Sequence, residues 1–266
     1  MSEKDYLIIV DITDREYIQL DANSGITSMR WDGKILTKNP SQNSRLWNLT
    51  NDLKEIVNTN LPEQVLNIDS LNSGEEHVQE YEIKKLTKPS LMVDEIFDTG
   101  RDTENIVNKS FLFQSANKCS IKLTLTNNID KPIQDIRLKR LMPEFLKGIE
   151  FQPPNLGDAN IVKENGENYL SWIIESLDAN KMAELYVTCT VTMNETSEQH
   201  LGGLDITYLI DNHQLMNFNP EVRSLTESMN SMTNDEGSSP QNWDCSIEFI
   251  NDSEFKIRVE EIRVNQ

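Results

Sequence analysis

Cys119-Ser120-Ile121-Lys122-Leu123-Thr124-Leu125-Thr126-Asn127-Asn128 alternates apolar and polar side chains as far as Thr126. That period of two gives Cys119, Ile121, Leu123 and Leu125 one face of a strand and leaves Lys122, Thr124 and Thr126 the other. The stretch is begun again further on. Cys119-Ser120-Ile121 returns as Cys245-Ser246-Ile247, and Ile133, Ile136 and Leu138 fall in register with Val259, Ile262 and Val264, with Arg137 and Arg263 in step. Repetition at so long a period marks a chain built from copies of one module, here a β module. The second copy reaches Gln266 well short of the length of the first.

Working outward, Leu185, Val187, Cys189 and Val191 alternate with Tyr186, Thr188 and Thr190 as a second half-buried strand. Asn165-Gly166, between Ile161-Val162-Lys163-Glu164 and Glu167-Asn168-Tyr169-Leu170, is the preferred two-residue hairpin turn, because both turn positions need positive φ. Asp32-Gly33 predicts a second hairpin by the same logic. Pro132, Pro143 and Pro153-Pro154 read as turn or strand-end positions, since proline inside a central strand removes a ladder hydrogen bond. A further echo joins Ile68-Asp69-Ser70-Leu71, before Asn72-Ser73-Gly74, to Ile174-Glu175-Ser176-Leu177, before Asp178-Ala179-Asn180. Both read as strand, polar turn, strand. Tyr6 to Ile12 reads as a first strand. Leu46, Leu49, Leu53 and Ile56 carry helical spacing with Ser44 as an N-cap, but the echo makes Trp47-Asn48-Leu49 a strand comparable to the Cys119 strand, and the strand is preferred.

Short strands parted by turns at this spacing suit a β-sandwich. The expected division is a first module over 1–88, a second over 89–197 and a partial third over 198–266, with 224–242 a mobile polar loop. In the third module only the Leu204–Ile210 strand and the Cys245–Val264 pair are visible. Truncation, completion by the second module and completion by a partner chain would each explain that shortfall. Met229 and Met232 in its loop have no expected role.

The chain has 25 Lys and Arg against 44 Asp and Glu, a net charge of −19, which repels phosphate backbones and anionic lipid. No apolar run approaches the roughly 20 residues that span a bilayer, and the N-terminus lacks the pattern of a secretory leader. The expected setting is cytoplasmic, with the cell surface as the alternative if the chain is a fragment. Three cysteines without a CxxC pair indicate neither a disulfide framework nor a zinc site.

Chemistry is thinly signalled. His77, His200 and His213 lie in polar surroundings without ligand-like neighbours. Asp21-Ala22-Asn23-Ser24-Gly25 offers alternate oxygens but lacks the later glutamate and the sixth-position glycine of a calcium loop. Asn48, Asn108, Asn194 and Asn251 begin Asn-x-Ser/Thr triplets, which this composition produces by chance. Trp31, Trp47, Trp172 and Trp243 would stack on sugars only if exposed. No phosphate loop, nucleophile elbow or dinucleotide fingerprint occurs. The sequence therefore names no catalytic, cofactor or metal residue, and the chain reads as a non-enzyme without cofactors.

The run from Cys119 to Asn128, followed by Lys131-Pro132-Ile133-Gln134-Asp135-Ile136 and Leu141-Met142-Pro143, resembles bacterial and archaeal immunoglobulin-like repeats of the conserved-repeat type. The resemblance covers the second module well, the third through its Cys245 strand pair, and the first loosely. It implies tandem immunoglobulin-like sandwiches, all-β, used for structure or binding. In an immunoglobulin core a tryptophan packs on an inter-sheet disulfide. Cys119, Trp172 and Cys189 supply those residue types at the wrong spacing, so buried free thiols and a bridge both stay open. The expected function is a structural or protein-interaction scaffold whose partners, or second copies, pair with sheet edges, with no nucleic acid and no membrane insertion. A leaderless surface or adhesive repeat protein is the rival, and a hydrolase or sugar-binding sandwich a third class.

Overall fold

The computed structural model describes residues 8–20, 25–42, 44–84, 88–100, 111–194, 202–210, 221–228 and 256–259. The regular elements of the described residues are nearly all strands: β1 Ile9–Leu20, β2 Ile26–Lys38, β3 Ser44–Asp52, β4 Val65–Leu71, β5 Glu76–Ile83, β6 Leu91–Asp98, β7 Ala116–Asn127 and β8 Ile133–Met142. Then come β9 Leu146–Phe151, β10 Asp158–Glu164, β11 Glu167–Leu177, β12 Met182–Thr192, β13 Leu204–Leu209, β14 Glu221–Ser228 and β15 Lys256–Val259. Among the described residues one 3-10 turn, Ile56–Asn58, breaks the series. Four sheets result, ordered β15-β1-β2-β5, β14-β3-β4, β6-β7-β12-β9 and β10-β11-β8-β13. The all-β expectation holds.

The chain forms two compact units. Unit 1 takes Met1–Arg15, Trp31–Leu86 and Asn212–Glu254; unit 2 takes Glu16–Arg30, Thr87–Asp211 and Phe255–Gln266. Among the described residues, strands beyond residue 198 form no sheet of their own: β13 pairs with β8 and β14 with β3.

Unit 2 is a sandwich of the third and fourth sheets. The alternation read from the sequence sets its inner faces, with Ile121, Leu123 and Leu125 of β7 and Leu185, Val187 and Val191 of β12 all buried. The facing sheet supplies Ile136, Leu138, Leu170, Trp172, Ile174 and Ile206. Trp172 is fully buried, and its Nε1 donates to the Leu156 carbonyl at 2.9 Å, which satisfies the one polar atom of a large apolar side chain. Arg140 of β8 makes a fork onto Glu95 of β6, at 3.0 Å from Nε and 2.7 Å from Nη2, tying one sheet to the other. The Asn165-Gly166 hairpin is present, with φ of 52° and 92°, and joins β10 to β11.

Unit 1 buries Ile35, Leu46, Leu49, Leu53, Ile68, Leu71 and Tyr81. Trp47-Asn48-Leu49 lies within β3, so the strand reading wins over the helical one. Asp32-Gly33 is no hairpin: β2 runs straight through it. Gly33 is needed for a different reason, since a Cβ there would overlap the Tyr81 phenol and the Asp14 carboxylate that accepts its hydrogen bond. Residues 224–228, expected in a loop, continue β14 against β3; residues 229–242, including Met229 and Met232, lie outside the described residues. So does the Cys245 copy, of which only the β15 backbone is described.

The echo between Leu71 and Leu177 is a structural repeat. Asn39, just past β2, donates through Nδ2 to the carbonyls of Leu71 and Asn72 at 3.1 and 3.0 Å. Asn127, ending β7, donates to Leu177 and Asp178 at 2.9 and 3.0 Å. Each asparagine accepts through Oδ1 from the N–H two residues on, Ser41 or Ile129, and each donates its own N–H across the corner, to Glu75 or Lys181. Gly74 and Asn180 hold the same left-handed turn position, with φ of 73° and 58°. Asn48 in β3 and Asp135 in β8 both have φ of 47°, and both mark a register shift against the neighbouring β14 or β13. Hence β2, β3, β4, β5 and β14 of unit 1 correspond to β7, β8, β11, β12 and β13 of unit 2. The counterpart of the Cys119 strand is β2, not β3.

Candidate protein-binding edges

A strand at the end of a sheet shows the N–H and C=O groups of alternate residues to whatever lies beside it. Among the strands that end the sheets, β10 and β5 present such edges. At β10, the tight hairpin makes Glu164 and Glu167 a hydrogen-bonded pair, so Val162 and Asn160 also bond to β11 while Ala159, Ile161 and Lys163 turn their main-chain groups outward. Ile161 lies opposite the buried Leu170, on the core side of its sheet, yet is 37% exposed. An apolar side chain is thus left uncovered beside a free main-chain edge.

At β5, Glu82 donates its N–H to Asn60 Oδ1 at 2.8 Å and accepts from the Asn60 N–H at 3.1 Å. Its polar groups therefore point away from β2, and the uninterrupted register with β2 carries the same direction to Glu80, Val78 and Glu76. The Gln79 amide caps the Glu80 carbonyl at 2.9 Å, while no hydrogen bond among the described residues reaches the Glu80 N–H or either group of Val78.

The outer faces of unit 2 carry locally paired charges beside exposed side chains such as Ile173 and Met182. Lys139 lies 4.3 Å over the Tyr169 ring and pairs with Glu164, while Tyr169 donates to Glu167 at 2.7 Å, which raises the Tyr169 pKa. Lys122 pairs with Glu184 at 2.7 Å, which raises its pKa, and sits 5.3 Å over Tyr186.

Cys119 and Cys189 are free thiols standing directly opposite each other on β7 and β12. The inter-sheet bridge of an immunoglobulin core is thereby ruled out, because both belong to one sheet and Trp172 to the other. Burial pushes the Cys119 thiol up to about 11, with Cys189 adding to the effect, and burial raises Cys189 as well. Asp14 and Glu16, which follow the apolar start of the chain, are buried in β1. Glu16 accepts from the Ser90 N–H and, at 3.1 Å, from the Tyr208 hydroxyl. Burial first, and then those carboxylates, raises the pKa of Tyr81 and Tyr208.

Of the histidines, His77 is half-buried in β5, and His200 and His213 lie outside the described residues. Asp21–Ser24 and Asn108, Asn251 and Trp243 also lie outside them; Asn48 is exposed. Trp31 is buried, and Trp47 is half-buried with the Arg45 guanidinium 3.7 Å over its ring. Among the described residues no three His, Cys, Asp or Glu side chains are grouped to hold a metal. No helix among them is long and apolar enough to cross a membrane.

No protein-family model matches the chain, and no curated protein matches it. Solved structures do. The yeast delta-COP-I mu-homology domain superposes with a TM-score of 0.55 at 10% identity, over 98% of this chain and 98% of that one. The same yeast domain complexed with a Dsl1 WxWxV peptide gives 0.52 at 12% identity, over 97% of this chain and 98% of that one. Likeness at such identity is likeness of fold. It runs to mu-homology domains rather than to immunoglobulin-like repeats, so the resemblance read from the sequence holds only as far as an all-β fold.

Proposed function

We propose that this protein is a non-enzymatic interaction module that takes up an extended segment of a partner protein by strand addition. The observation that carries the reading is the β10 edge, where the main-chain groups of Ala159, Ile161 and Lys163 face outward beside the half-exposed Ile161 side chain. An added strand would satisfy those groups and cover that side chain. Support by analogy comes from the yeast delta-COP-I mu-homology domain, a fold of this kind that was solved with a peptide bound. The net charge of −19 disfavours nucleic acid as the partner. Opposed thiols left unbridged suit a reducing, cytoplasmic setting.

Selection of binders from a displayed library of extended peptides, followed by NMR titration of a selected peptide, tests the reading. Amide shifts should concentrate on edge strands, at Ile161 and Lys163 or at Val78 and Glu80. Shifts confined to sheet faces, or a library that yields no binder, would overturn it.

A further inference from the structure

The internal repeat supplies an argument that neither unit supplies alone. Asn39 bonding to Glu75 and Asn127 bonding to Lys181 align β5 with β12, so that Val78 corresponds to Glu184, Glu80 to Tyr186 and Glu82 to Thr188. In unit 2 the chain covers its own edge. Glu150 pairs with Thr188, the Gln152 N–H donates to the Tyr186 carbonyl at 3.2 Å, and Asn155 takes both polar groups of Glu184, at 2.7 and 3.3 Å. Among the described residues of unit 1 the self-cover reaches only the far end of β5, where Asn58–Asn60 serve Glu82 and Lys84. The stretch equivalent to Glu184–Tyr186 is Val78–Glu80, which is uncovered among the described residues.

We infer that the β5 edge of unit 1 takes an extended segment of a partner protein that is basic at two positions flanking an apolar one, in the place that Gln152–Asn155 fill in unit 2. This rests on the strand-addition reading and gives it a partner chemistry. The side chains along the edge set that chemistry. Glu76, Val78, Glu80 and Glu82 share one face, and Val78 is 48% exposed beside Leu36. Glu80 lies opposite Lys34, and Glu82 lies opposite Asp32. A strand laid along β5 sets its own alternate residues against Glu76, Val78 and Glu80, which favours basic, apolar and basic side chains in turn, the first of them sharing the Glu76 carboxylate with Lys38, 2.5 Å away. The acidic balance of the whole chain draws the same partner.

The test titrates a peptide of the form Lys-Thr-Val-Thr-Lys with short neutral flanks into the full chain. The variants are Val78→Pro, Glu80→Lys with Glu82→Lys, and Ile161→Pro. Val78→Pro deletes a main-chain donor that points away from β2 and so spares the ladder. The expected result is binding that weakens by about tenfold or more in Val78→Pro and in the charge-reversed variant, and that is unchanged in Ile161→Pro. A version with glutamate in place of lysine should not bind. The charge-reversed variant, which keeps every main-chain hydrogen bond, decides the matter if Val78→Pro fails to fold. Equal binding to wild type and to the charge-reversed variant overturns the inference. So does a wild-type chain that ignores the basic peptide while library peptides bind at β10, an outcome that leaves the broader reading standing. Failure of every peptide at both edges sinks the two together.

Discussion

Cys119 and Cys189 are cross-strand neighbours, paired residue to residue on the core side of β7 and β12 without a bond between them. Native protein should therefore alkylate slowly at either thiol and fast at both once unfolded, as read by intact mass. The folded state holds the Cys119 proton up to about 11, above the usual thiol value, so folding is favoured below that usual value and loses this contribution as pH rises through the folded one. Tyr81 and Tyr208, also raised, act in the same direction. Stability should decline above about pH 9, and Cys119→Ala should flatten part of the decline. A Cys119–Cys189 disulfide in protein isolated from its source would favour export over the cytoplasm.

Asn39 and Asn127 each close a corner between sheets from a nearly fully buried position. Replacing either by alanine takes the side-chain donor from one buried carbonyl, Leu71 or Leu177, and from its part-buried neighbours, and should cost on the order of 2 kcal/mol. Urea unfolding should show lower midpoints with an unchanged slope. A cost at only one of the two sites would argue against their equivalence.

The Arg140–Glu95 fork is a buried ion pair in unit 2, with the Arg140 side chain 1% exposed. Glu95→Ala strands that charge and should destabilise by about 3–5 kcal/mol. Replacing both, as Glu95→Leu with Arg140→Met, should recover most of the loss, a comparison that denaturant titration makes directly.

Gly33→Ala should destabilise by about 1–3 kcal/mol, because the new methyl meets the Tyr81 ring and the Asp14 carboxylate. Gly74→Ala, in open space but at a φ of 73°, should cost about 1 kcal/mol from backbone strain alone. Thermal unfolding should rank the two in that order.

Much of this architecture was legible because the strands of unit 2 alternate strictly and Asn165-Gly166 admits one turn geometry. The echo at Ile68 and Ile174 was legible as well, since an asparagine-capped corner constrains both its turn and its strands. Asp32-Gly33 misled because glycine serves a turn and a close ring contact equally, and sequence does not show that Tyr81 lies across the sheet. The wrong pairing of the Trp47 strand with the Cys119 strand has a similar root: alternation marks a strand without saying which copy position it fills. Nothing in the sequence marks Asp14 and Glu16 as buried, for their partners Tyr81, Ser90 and Tyr208 are remote in sequence. Open edges carry no sequence mark whatever. They are defined by which strand is not beside them, as the register of β10 and the comparison of β5 with β12 show.

Amide hydrogen exchange on the free protein tests the account most directly. The N–H groups of Val78, Glu80 and Ile161 should exchange rapidly, while that of Glu184, bonded to Asn155, should be protected. Protection of Val78 and Glu80 equal to that of Glu184 would show that the chain covers its first edge as it covers its second, and would contradict the proposal that a partner strand belongs there.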